Sequence, residues 1–321
     1  MTSSTVSAAS VHTAFGEDLG FASLHPLSHG ELQVSLSLSD ERIASCDFHP
    51  GFMHRGDEKL LEVRTYRQGL SLINRHQWLS PAAPETAFAQ ACEELMGLVP
   101  PPRAVLLREL VCHIQIVTGI LLRLAGVAQT LAQPWRPIIE VREQWLDVHE
   151  VITGVRMHSS AVRLGGVSHD CSTEDLESLS QLANASFAFN VDLSALSGLG
   201  VINEVDAAQR IHDDINQISQ SCTELQRVMG DLSMTHGPIA SSLPKVVRVP
   251  VGSSYKEVQG ANGMTGVWLH SDGGTTPHRV HLNTPSFRNL ELIEQNALGK
   301  SHHDLWAMLL TMPLALGEID R

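Results

Sequence analysis

Three short stretches in the first part of the chain bring histidine, arginine and acidic residues together: residues 25–30 (HPLSHG), residues 49–59 (HPGFMHRGDEK) and residues 64–66 (RTY). Taken alone, a histidine in a His-Pro turn is typical of a surface turn, and an arginine close to a glutamate is typical of a salt bridge. Their ordered combination goes beyond what a structural role requires. It therefore indicates a functional surface built from the N-terminal part of the chain.

Length and charge limit the classes of protein to which this chain can belong. Its 321 residues suffice for one large domain or two ordinary ones, and 43% of them are hydrophobic, so a substantial core can form. The chain has 22 basic and 35 acidic residues, a formal net charge of -13. Because nucleic-acid binding depends on basic residues that neutralise phosphates, this balance argues against a general nucleic-acid binder.

The cysteines predict neither a metal site nor a disulfide framework. They stand far apart, without any Cys-x-x-Cys pair, at Cys46, Cys92, Cys112, Cys171 and Cys222. The N-terminus is rich in serine and threonine and has no basic segment leading into an apolar run. We therefore expect a flexible tail at residues 1–22 rather than an export signal.

One apolar stretch, residues 114–132, has the length of a membrane span. It contains Gln115, Arg123 and Gln129. An arginine near the centre of a membrane helix costs about 2.5 to 3.5 kcal/mol on insertion scales. We therefore predict a buried helix in the protein core and membrane contact only through partner proteins.

Hydrophobic periodicity predicts the secondary structure of the first half of the chain. Residues 31–39 alternate between polar and apolar positions, which is typical of a strand with one buried face. Helical spacing follows over residues 57–80 and 86–98, and the prolines between them predict an interruption. After the three prolines at 100–102 we expect a long apolar helix, a kink, and a further helix that ends at Gly154.

The second half continues this helical pattern and then becomes β-rich. Ser172 is a predicted N-cap with a capping box, and an apolar stripe at helical spacing predicts a core helix through Ile211, Ile215, Ile218, Cys222 and Leu225. Strands are predicted at 265–271 and 279–283, followed by a final helix over residues 302–310. The predicted fold class is α+β, mainly α, with a central helical bundle and small β elements near both ends.

The predicted organisation has four parts, packed as one subunit. The flexible tail (residues 1–22) precedes an N-terminal β element at residues 23–50. A helical bundle at residues 51–240 leads to a C-terminal β element with the final helix at residues 241–321.

The ordered motifs resemble the D subunit of bacterial NADH:quinone oxidoreductase, the quinone-site (49 kDa-type) subunit of respiratory complex I. That family has His-Pro-x-x-His-Gly, then His-Arg-Gly-x-Glu-Lys, then Arg-x-Tyr. Further matches follow in the same order: Arg156-Met157-His158, residues 163–167 (RLGGV), 271–274 (SDGG), 277–279 (PHR), 285–290 (PSFRNL) and 317–321 (GEIDR). The resemblance covers nearly everything after about Leu24.

The same fold is related to the large subunit of NiFe hydrogenases, which suggests a metal-dependent alternative. A nickel–iron centre needs thiolate ligands near both ends of the chain. No cysteine follows Cys222, so these metal ligands are missing and hydrogenase catalysis is excluded.

The resemblance implies roles for particular residues. His29 matches the histidine that reaches the quinone head group, and an imidazole that titrates near neutral pH can bind a carbonyl and donate a proton. Arg55 and Arg75 match arginines near the terminal iron–sulfur cluster of the neighbouring B subunit, and His158 matches a histidine close to that cluster. As isolated residues, all of them would more often be turn, salt-bridge or surface groups.

Two predicted quinone-site residues depart from the family pattern. Trp78 stands where the family has a quinone-binding tyrosine. The family pattern Asp-Arg-x-Asp-Tyr reads Asn-Arg-His-Gln-Trp in this chain. Unlike a tyrosine phenol, the tryptophan indole does not readily donate a proton. Thr130 stands where the family has the aspartate that partners the quinone histidine. In addition, the chain after Ile202 lacks tens of residues of the family, so we interpret it as a shortened and divergent member.

The resemblance predicts a peripheral-arm subunit of a complex I-like NADH:quinone oxidoreductase on the cytoplasmic side of the cell membrane. Quinone would be its substrate, and it would hold no tightly bound cofactor of its own. Iron–sulfur clusters, flavin and NADH would belong to partner subunits, with B-like, C-like and membrane H-like chains as neighbours. The alternative is a non-catalytic structural or assembly paralogue, which the loss of the tyrosine and the aspartate favours.

Overall fold

The computed structural model describes residues 5–6, 32–158, 160–185 and 191–321. Most of the predicted tail, and the motif at residues 25–30 with His29, lie outside this part of the chain.

Helices dominate the described secondary structure, as the sequence predicts. Their order is α1 (Asp57–Glu62), α2 (Tyr66–Ile73), α3 (Ala82–Met96), α4 (Pro102–Thr130), α5 (Arg136–Thr153), α6 (Thr173–Asn184), α7 (Ala207–Met234), α8 (Pro285–Ala297), α9 (His302–Thr311) and α10 (Leu316–Ile319). The predicted fold class, α+β with helices dominant, is confirmed.

Within the described residues, the strands form three small antiparallel sheets. The strands are β1 (Thr5–Val6), β2 (Gln33–Ser39), β3 (Arg42–His49), β4 (Val162–Arg163), β5 (Gly166–Val167), β6 (Gly252–Gly260), β7 (Gly263–Ser271) and β8 (Arg279–Asn283). The sheets have the orders β1-β2-β3, β4-β5 and β6-β7-β8. Each pairing joins neighbours in the chain, so the β elements lie beside the helices rather than forming a central sheet.

Helix α4 runs through the centre of the protein. Leu110, Val117, Ile120 and Leu124 are fully buried, and the helix packs against α5 and α7. It is long and apolar enough to cross a membrane, yet 89% of its most apolar window is buried inside the protein. The prediction of a buried core helix is therefore confirmed.

Two buried ion pairs accommodate Arg108 and Arg123 of α4. Arg123 donates to both carboxylate oxygens of Asp214 on α7, at 2.8 and 2.6 Å. Arg108 makes the equivalent pair with Glu93 on α3, at 3.0 and 2.6 Å. A planar guanidinium matches a carboxylate in this two-pronged geometry, so the charges lie in the core with partners.

Helices α6 and α7 follow the sequence prediction closely. Ser172 caps α6 and forms the expected capping box with Asp175. Along α7, Ile211, Ile218 and Leu225 are buried, and the remaining members of the stripe are partly buried against the same core. The apolar stripe is therefore core, as predicted.

The C-terminal sheet packs against helix α3. Ala87 and Phe88 of α3 share a buried cluster with Val267 and Leu269 of β7. Strands β7 and β8 match the prediction, but β6 was not predicted. Its exposed face is polar, and only alternate residues point to the core, so its apolar content is low.

The N-terminal hairpin packs against the C-terminal helices. Leu36 of β2 and Ile43 of β3 share a buried cluster with Ile293 of α8 and Met308 of α9. Strand β3 and helix α8 were not predicted. Both ends of the described chain therefore meet on one side of the helical bundle.

The helix predicted over residues 57–80 is wrong in its extent. The structure ends α1 at Glu62 and starts α2 at Tyr66, because Thr65 forms a capping box with Gln68. The next helix starts earlier than predicted, at Ala82, and includes Pro84. Proline is tolerated in the first helical turn, where main-chain N–H groups have no helical acceptor.

Candidate functional site

The turn between helices α2 and α3 carries Arg75 and Trp78. The main-chain N–H groups of Asn74, Arg75 and His76 donate back to carbonyls of α2, at 3.3, 3.0 and 3.1 Å. The carbonyl groups of Asn74 and Arg75 are used differently, because each accepts a hydrogen bond from a distant segment.

Three predicted site residues converge on this turn. Arg55 donates from Nη2 to the carbonyl oxygen of Arg75 at 2.9 Å. His158 donates from Nδ1 to the carbonyl oxygen of Asn74 at 3.1 Å, and since a carbonyl can only accept, Nδ1 carries the hydrogen. Arg75 is exposed, the side chain of Arg55 is 46% exposed, and His158 is half-buried. The three residues thus form one basic surface.

His158 lies in a strained and electropositive position. Its φ of 54° is in the left-handed region, which costs free energy for a residue with a Cβ. Burial lowers the pKa of His158, and the positive charges of Arg75 and Arg55 lower it further, which outweighs the hydrogen bond to Asn74. The imidazole is therefore neutral at a lower pH than an ordinary histidine.

A buried, hydrogen-bonded Asp57–His76 pair lies behind this surface. His76, whose side chain is fully buried, approaches Asp57 Oδ2 with Nδ1 at 3.1 Å, and Arg55 donates to the same oxygen at 3.1 Å. Burial favours the neutral form of Asp57, but the hydrogen bonds and charges of His76 and Arg55 outweigh it and lower the pKa of this carboxyl. Asp57 is therefore ionised, and His76 Nδ1 is the donor.

Glu318 lies in the same interior region. Its Oε1 accepts hydrogen bonds from Gln77 Nε2 at 2.9 Å and from Asn262 Nδ2 at 2.8 Å. Burial raises the pKa of Glu318, although nearby His76 and the hydrogen bonds act in the opposite direction. In the described part of the structure, Glu318 Oε2 and His76 Nε2 are both buried without a hydrogen-bond partner.

The last residues of the chain hold the 49–59 segment in place. Asp320 Oδ2 accepts a hydrogen bond from the main-chain N–H of Met53 at 2.7 Å. Arg321 donates to the carbonyl of Leu282 at 2.6 Å and lies over the Phe287 ring, 5.0 Å from its centre. The C-terminal residues therefore contact the same segment that carries Arg55 and Asp57.

Trp78 is half-buried and lines a narrow cleft with residues of α4 and α5. Thr118, His149 and Met157 share this cleft, so its mouth adjoins the segment that carries His158. Burial lowers the pKa of His149 to about 4, and the bond from its Nδ1 to the Val155 carbonyl, 2.9 Å long, opposes that effect. His149 is therefore a neutral structural histidine.

Thr130 is the last residue of α4. Its hydroxyl donates to the carbonyl of Gly126 at 2.9 Å, one turn earlier in the same helix. Thr118, which lines the Trp78 cleft, lies about 18 Å earlier along the helix axis at 1.5 Å per residue. Thr130 and Thr118 are therefore more than three helical turns apart on α4.

His29 lies outside the described residues, so its position relative to Trp78 and Thr130 stays a prediction. Within the described ranges, no group of three or more His, Cys, Asp or Glu side chains is arranged to hold a metal ion.

The interior half of this site was not predicted from the sequence. Neither His76 nor Glu318 was predicted as a functional residue, and Asp57 was given no role although it lies inside the 49–59 motif. The signal was their position inside or beside the matched motifs. Their burial and mutual contacts depend on segments that are far apart in the chain.

The comparisons with known proteins establish the family. Residues 132–219 and 201–321 match the family model described as respiratory-chain NADH dehydrogenase, 49 Kd subunit, and together they make up more than half of the chain. The chain belongs to this 49 kDa subunit family. The resemblance found from the sequence motifs is therefore confirmed.

Relatives with known names match over nearly their whole length. The chain is 27% identical to the D subunit of NADH-quinone oxidoreductase from Clostridium beijerinckii, over 94% of this chain and 96% of the relative. It is 29% identical to one of the D subunits of Streptomyces coelicolor, over 92% of this chain and 93% of the relative. The first alignment extends over 359 positions, more than the 321 residues of this 49 kDa-family chain, so that relative has residues that this chain lacks.

A solved structure has the same fold. A chain of the membrane-bound sulfane sulfur reductase, an archaeal respiratory membrane complex, superposes with a TM-score of 0.80 at 24% identity. The match covers 94% of this chain and 97% of that chain. The helical bundle with small flanking sheets is therefore also the fold of a chain in this archaeal complex.

Proposed function

We propose that this chain is the quinone-site subunit of a complex I-like NADH:quinone oxidoreductase. It lines the quinone-reduction pocket beside the terminal iron–sulfur cluster of a B-like subunit. The observation that carries the proposal is the convergence of Arg55, Arg75 and His158 on one turn, within a chain whose relatives are D subunits of NADH-quinone oxidoreductase.

The basic surface suits a position beside a redox cluster. Fixed positive charge near a cluster favours the reduced form, and hydrogen-bond donors tune it further. Arg55 is held by Asp57 and by the Arg75 carbonyl, so its charge has a defined position. The apolar residues Phe52 and Met53 are exposed beside it, as expected for a surface that a partner subunit covers.

Quinone would bind between the two subunits, with His29 at its head group as the catalytic residue. Trp78 would contribute a flat aromatic face for the ring and an indole N–H donor. Thr130, about 18 Å farther along α4 than Thr118 of the Trp78 cleft, would contact the quinone away from the indole. Quinone is the substrate, and we assign no tightly bound cofactor to this chain.

The remaining parts of the complex follow from this assignment. Flavin, NADH and the iron–sulfur clusters belong to partner subunits, and C-like and membrane H-like chains are further neighbours. The chain would then be a peripheral protein on the cytoplasmic side of the cell membrane. Helix α4 is not its membrane anchor in this proposal, because that helix is buried in the core.

The proposal is tested by purifying the tagged chain from its native membranes and assaying quinone reduction with wild type and His29→Ala. We expect B-like and membrane subunits to co-purify. We also expect His29→Ala to abolish quinone reduction while the same subunits still assemble.

The second candidate function is a structural or assembly paralogue without quinone turnover. One observation favours it: the Thr130 hydroxyl donates into its own helix, and a threonine cannot replace the anionic partner of a histidine. In that case the complex would assemble, and His29→Ala would leave its quinone reduction unchanged.

A further inference from the structure

A cavity of about 350 Å³ lies between helix α2, the β4 strand region and the segment that follows α7. This volume is within the range of small-molecule binding pockets. Two arginines and three serines form the polar part of its lining: Arg67, Ser71, Ser160, Arg163 and Ser241. Among the described residues that line the cavity, none is acidic.

One wall of the cavity is built by the motif at residues 163–167 (RLGGV). Its glycines permit close packing, because a Cβ on Gly166 would collide with the carbonyl oxygen of Ile239. The leucine and the valine of the motif are buried. Arg163 alone is exposed, so the packing of this segment accounts for every residue of the motif except the arginine.

The polar groups of the cavity have few protein partners. Within the described residues, neither the guanidinium of Arg163 nor the hydroxyls of Ser71, Ser160 and Ser241 form a hydrogen bond with another protein group. Arg67 donates to a single acceptor, the carbonyl of Pro244, at 2.9 Å. The cavity therefore offers hydrogen-bond donors that the protein itself does not use.

The positive charge of the cavity is also not neutralised from behind. Glu85 is buried at 0% exposure, and the charge of Arg163 acts on it. Burial raises the pKa of Glu85 to about 8, although the hydrogen bond from Asn74 and the charge of Arg163 oppose this. Near pH 7 the carboxyl therefore keeps its proton, and Arg163 stays available to an anion from solvent.

The number of donors favours a phosphoryl group over a carboxylate. A guanidinium has five N–H donors and each serine adds an O–H, whereas a carboxylate has only two oxygens to accept them. A phosphoryl group has three acceptor oxygens and nearly two negative charges at neutral pH. The cavity is also larger than one phosphate ion, and Leu70, Val162 and Leu243 give it an apolar part.

We propose that this cavity binds an organic phosphate. Arg163 and Arg67 hold the phosphoryl group, the three serine hydroxyls donate to its oxygens, and the apolar residues contact the organic part. A soluble phosphate ester and a lipid headgroup share this chemistry. The inference assigns a binding site and no reaction, and it does not depend on quinone reduction.

Titration calorimetry on the purified 321-residue chain at pH 7.5 tests the proposal with three probes: phenyl phosphate, benzoate and inorganic phosphate. Phenyl phosphate and benzoate share the ring and differ in the anionic group. We expect phenyl phosphate to bind about tenfold more tightly than benzoate, because it satisfies more donors. It should also bind more tightly than inorganic phosphate, which has no apolar part.

Arg163→Met should weaken the binding of phenyl phosphate about tenfold, since a charge-assisted hydrogen bond is lost. The double variant Ser71→Ala/Ser241→Ala should weaken it about threefold. Arg42→Met is the matched control, because Arg42 is an exposed arginine of β3 that donates to one carbonyl, that of Gly299, at 2.9 Å. We expect wild-type affinity in this control and unchanged melting temperatures in all variants.

Sedimentation with phosphatidylcholine vesicles, with and without phosphatidic acid, distinguishes the two sources of the phosphate. Binding that needs phosphatidic acid and is lost in Arg163→Met supports a lipid headgroup. Binding of phenyl phosphate without binding to these vesicles supports a soluble phosphate ester.

Three results would overturn the inference: no saturable binding of phenyl phosphate, equal affinity for benzoate, or equal affinities in Arg163→Met and Arg42→Met. If Arg163→Met does not fold, the serine double variant decides. Quinone reduction is not measured in any of these experiments, so their failure leaves the proposed function untouched.

Discussion

Arg55 Nη2 donates both to the carbonyl oxygen of Arg75, at 2.9 Å, and to Asp57 Oδ2, at 3.1 Å. One guanidinium therefore joins the exposed basic surface to the buried Asp57–His76 pair. The two hydrogens of this one nitrogen each serve one acceptor. Arg55 is thus the link between the two halves of the site.

Replacing Arg55 should impair the site without unfolding the protein. We expect Arg55→Met to lower the reduction potential of the partner's terminal cluster and to slow quinone reduction, because a fixed positive charge is lost. Lys59→Met is the control, since Lys59 is 77% exposed and pairs with Glu62 on the same helix. Redox titration of the purified complex measures the potential, and equal values in the two variants would contradict the assignment.

Glu85 should make stability decrease with rising pH. Burial raises its pKa from 4.5 to about 8, against the opposing hydrogen bond from Asn74. Between these values the unfolded chain releases the proton and the folded chain keeps it, so the free energy of unfolding falls by about 1.4 kcal/mol per pH unit.

Glu85→Gln should remove this part of the pH dependence and melt at a higher temperature than wild type at pH 8. Exposed Glu177→Gln should leave the slope unchanged. Thermal unfolding at pH 5 and pH 8 measures the difference, and a wild-type slope in Glu85→Gln would argue that Glu85 is already ionised in the folded chain.

The buried pair of Arg123 and Asp214 should be essential for stability. Arg123→Met leaves the Asp214 carboxylate unpaired between α4 and α7, which costs about 3 to 5 kcal/mol. Arg227→Met is the control, because Arg227 is 47% exposed and its ion pairs lie in solvent, so we expect a loss below about 1 kcal/mol. Denaturant unfolding distinguishes the two, and comparable losses would contradict the prediction.

Trp78 provides a test of proton donation to the quinone. Trp78→Tyr introduces a phenol, which can donate a proton, whereas Trp78→Phe retains only an aromatic face. We expect Trp78→Tyr to raise the rate of quinone reduction at alkaline pH and Trp78→Phe to leave it at the wild-type rate. If both substitutions act alike, Trp78 is not placed to donate to the quinone.

Much of the helical bundle could be predicted from the sequence, because local patterns specify it. The capping box at Ser172, the apolar stripe from Ile211 to Leu225 and the end of α5 at Gly154 depend on neighbours within a few turns. Strands β3 and β6 were not predicted, because a strand is stabilised by pairing with another strand and less by its own local pattern. The early start of α3 was not predicted, because proline usually interrupts a helix, whereas here Pro84 lies in the first helical turn.

The sequence by itself determined the family, the order of the motifs and the surface residues Arg55, Arg75 and His158. Only the tertiary structure decided that these three meet on one turn and that Asp57, His76 and Glu318 lie together behind it. The physical reason is that motifs record residue types, whereas the pKa and hydrogen bonding of a buried group depend on what the fold packs against it. Glu318 acquires its environment from residues 77 and 262, which no pattern around the C-terminus specifies.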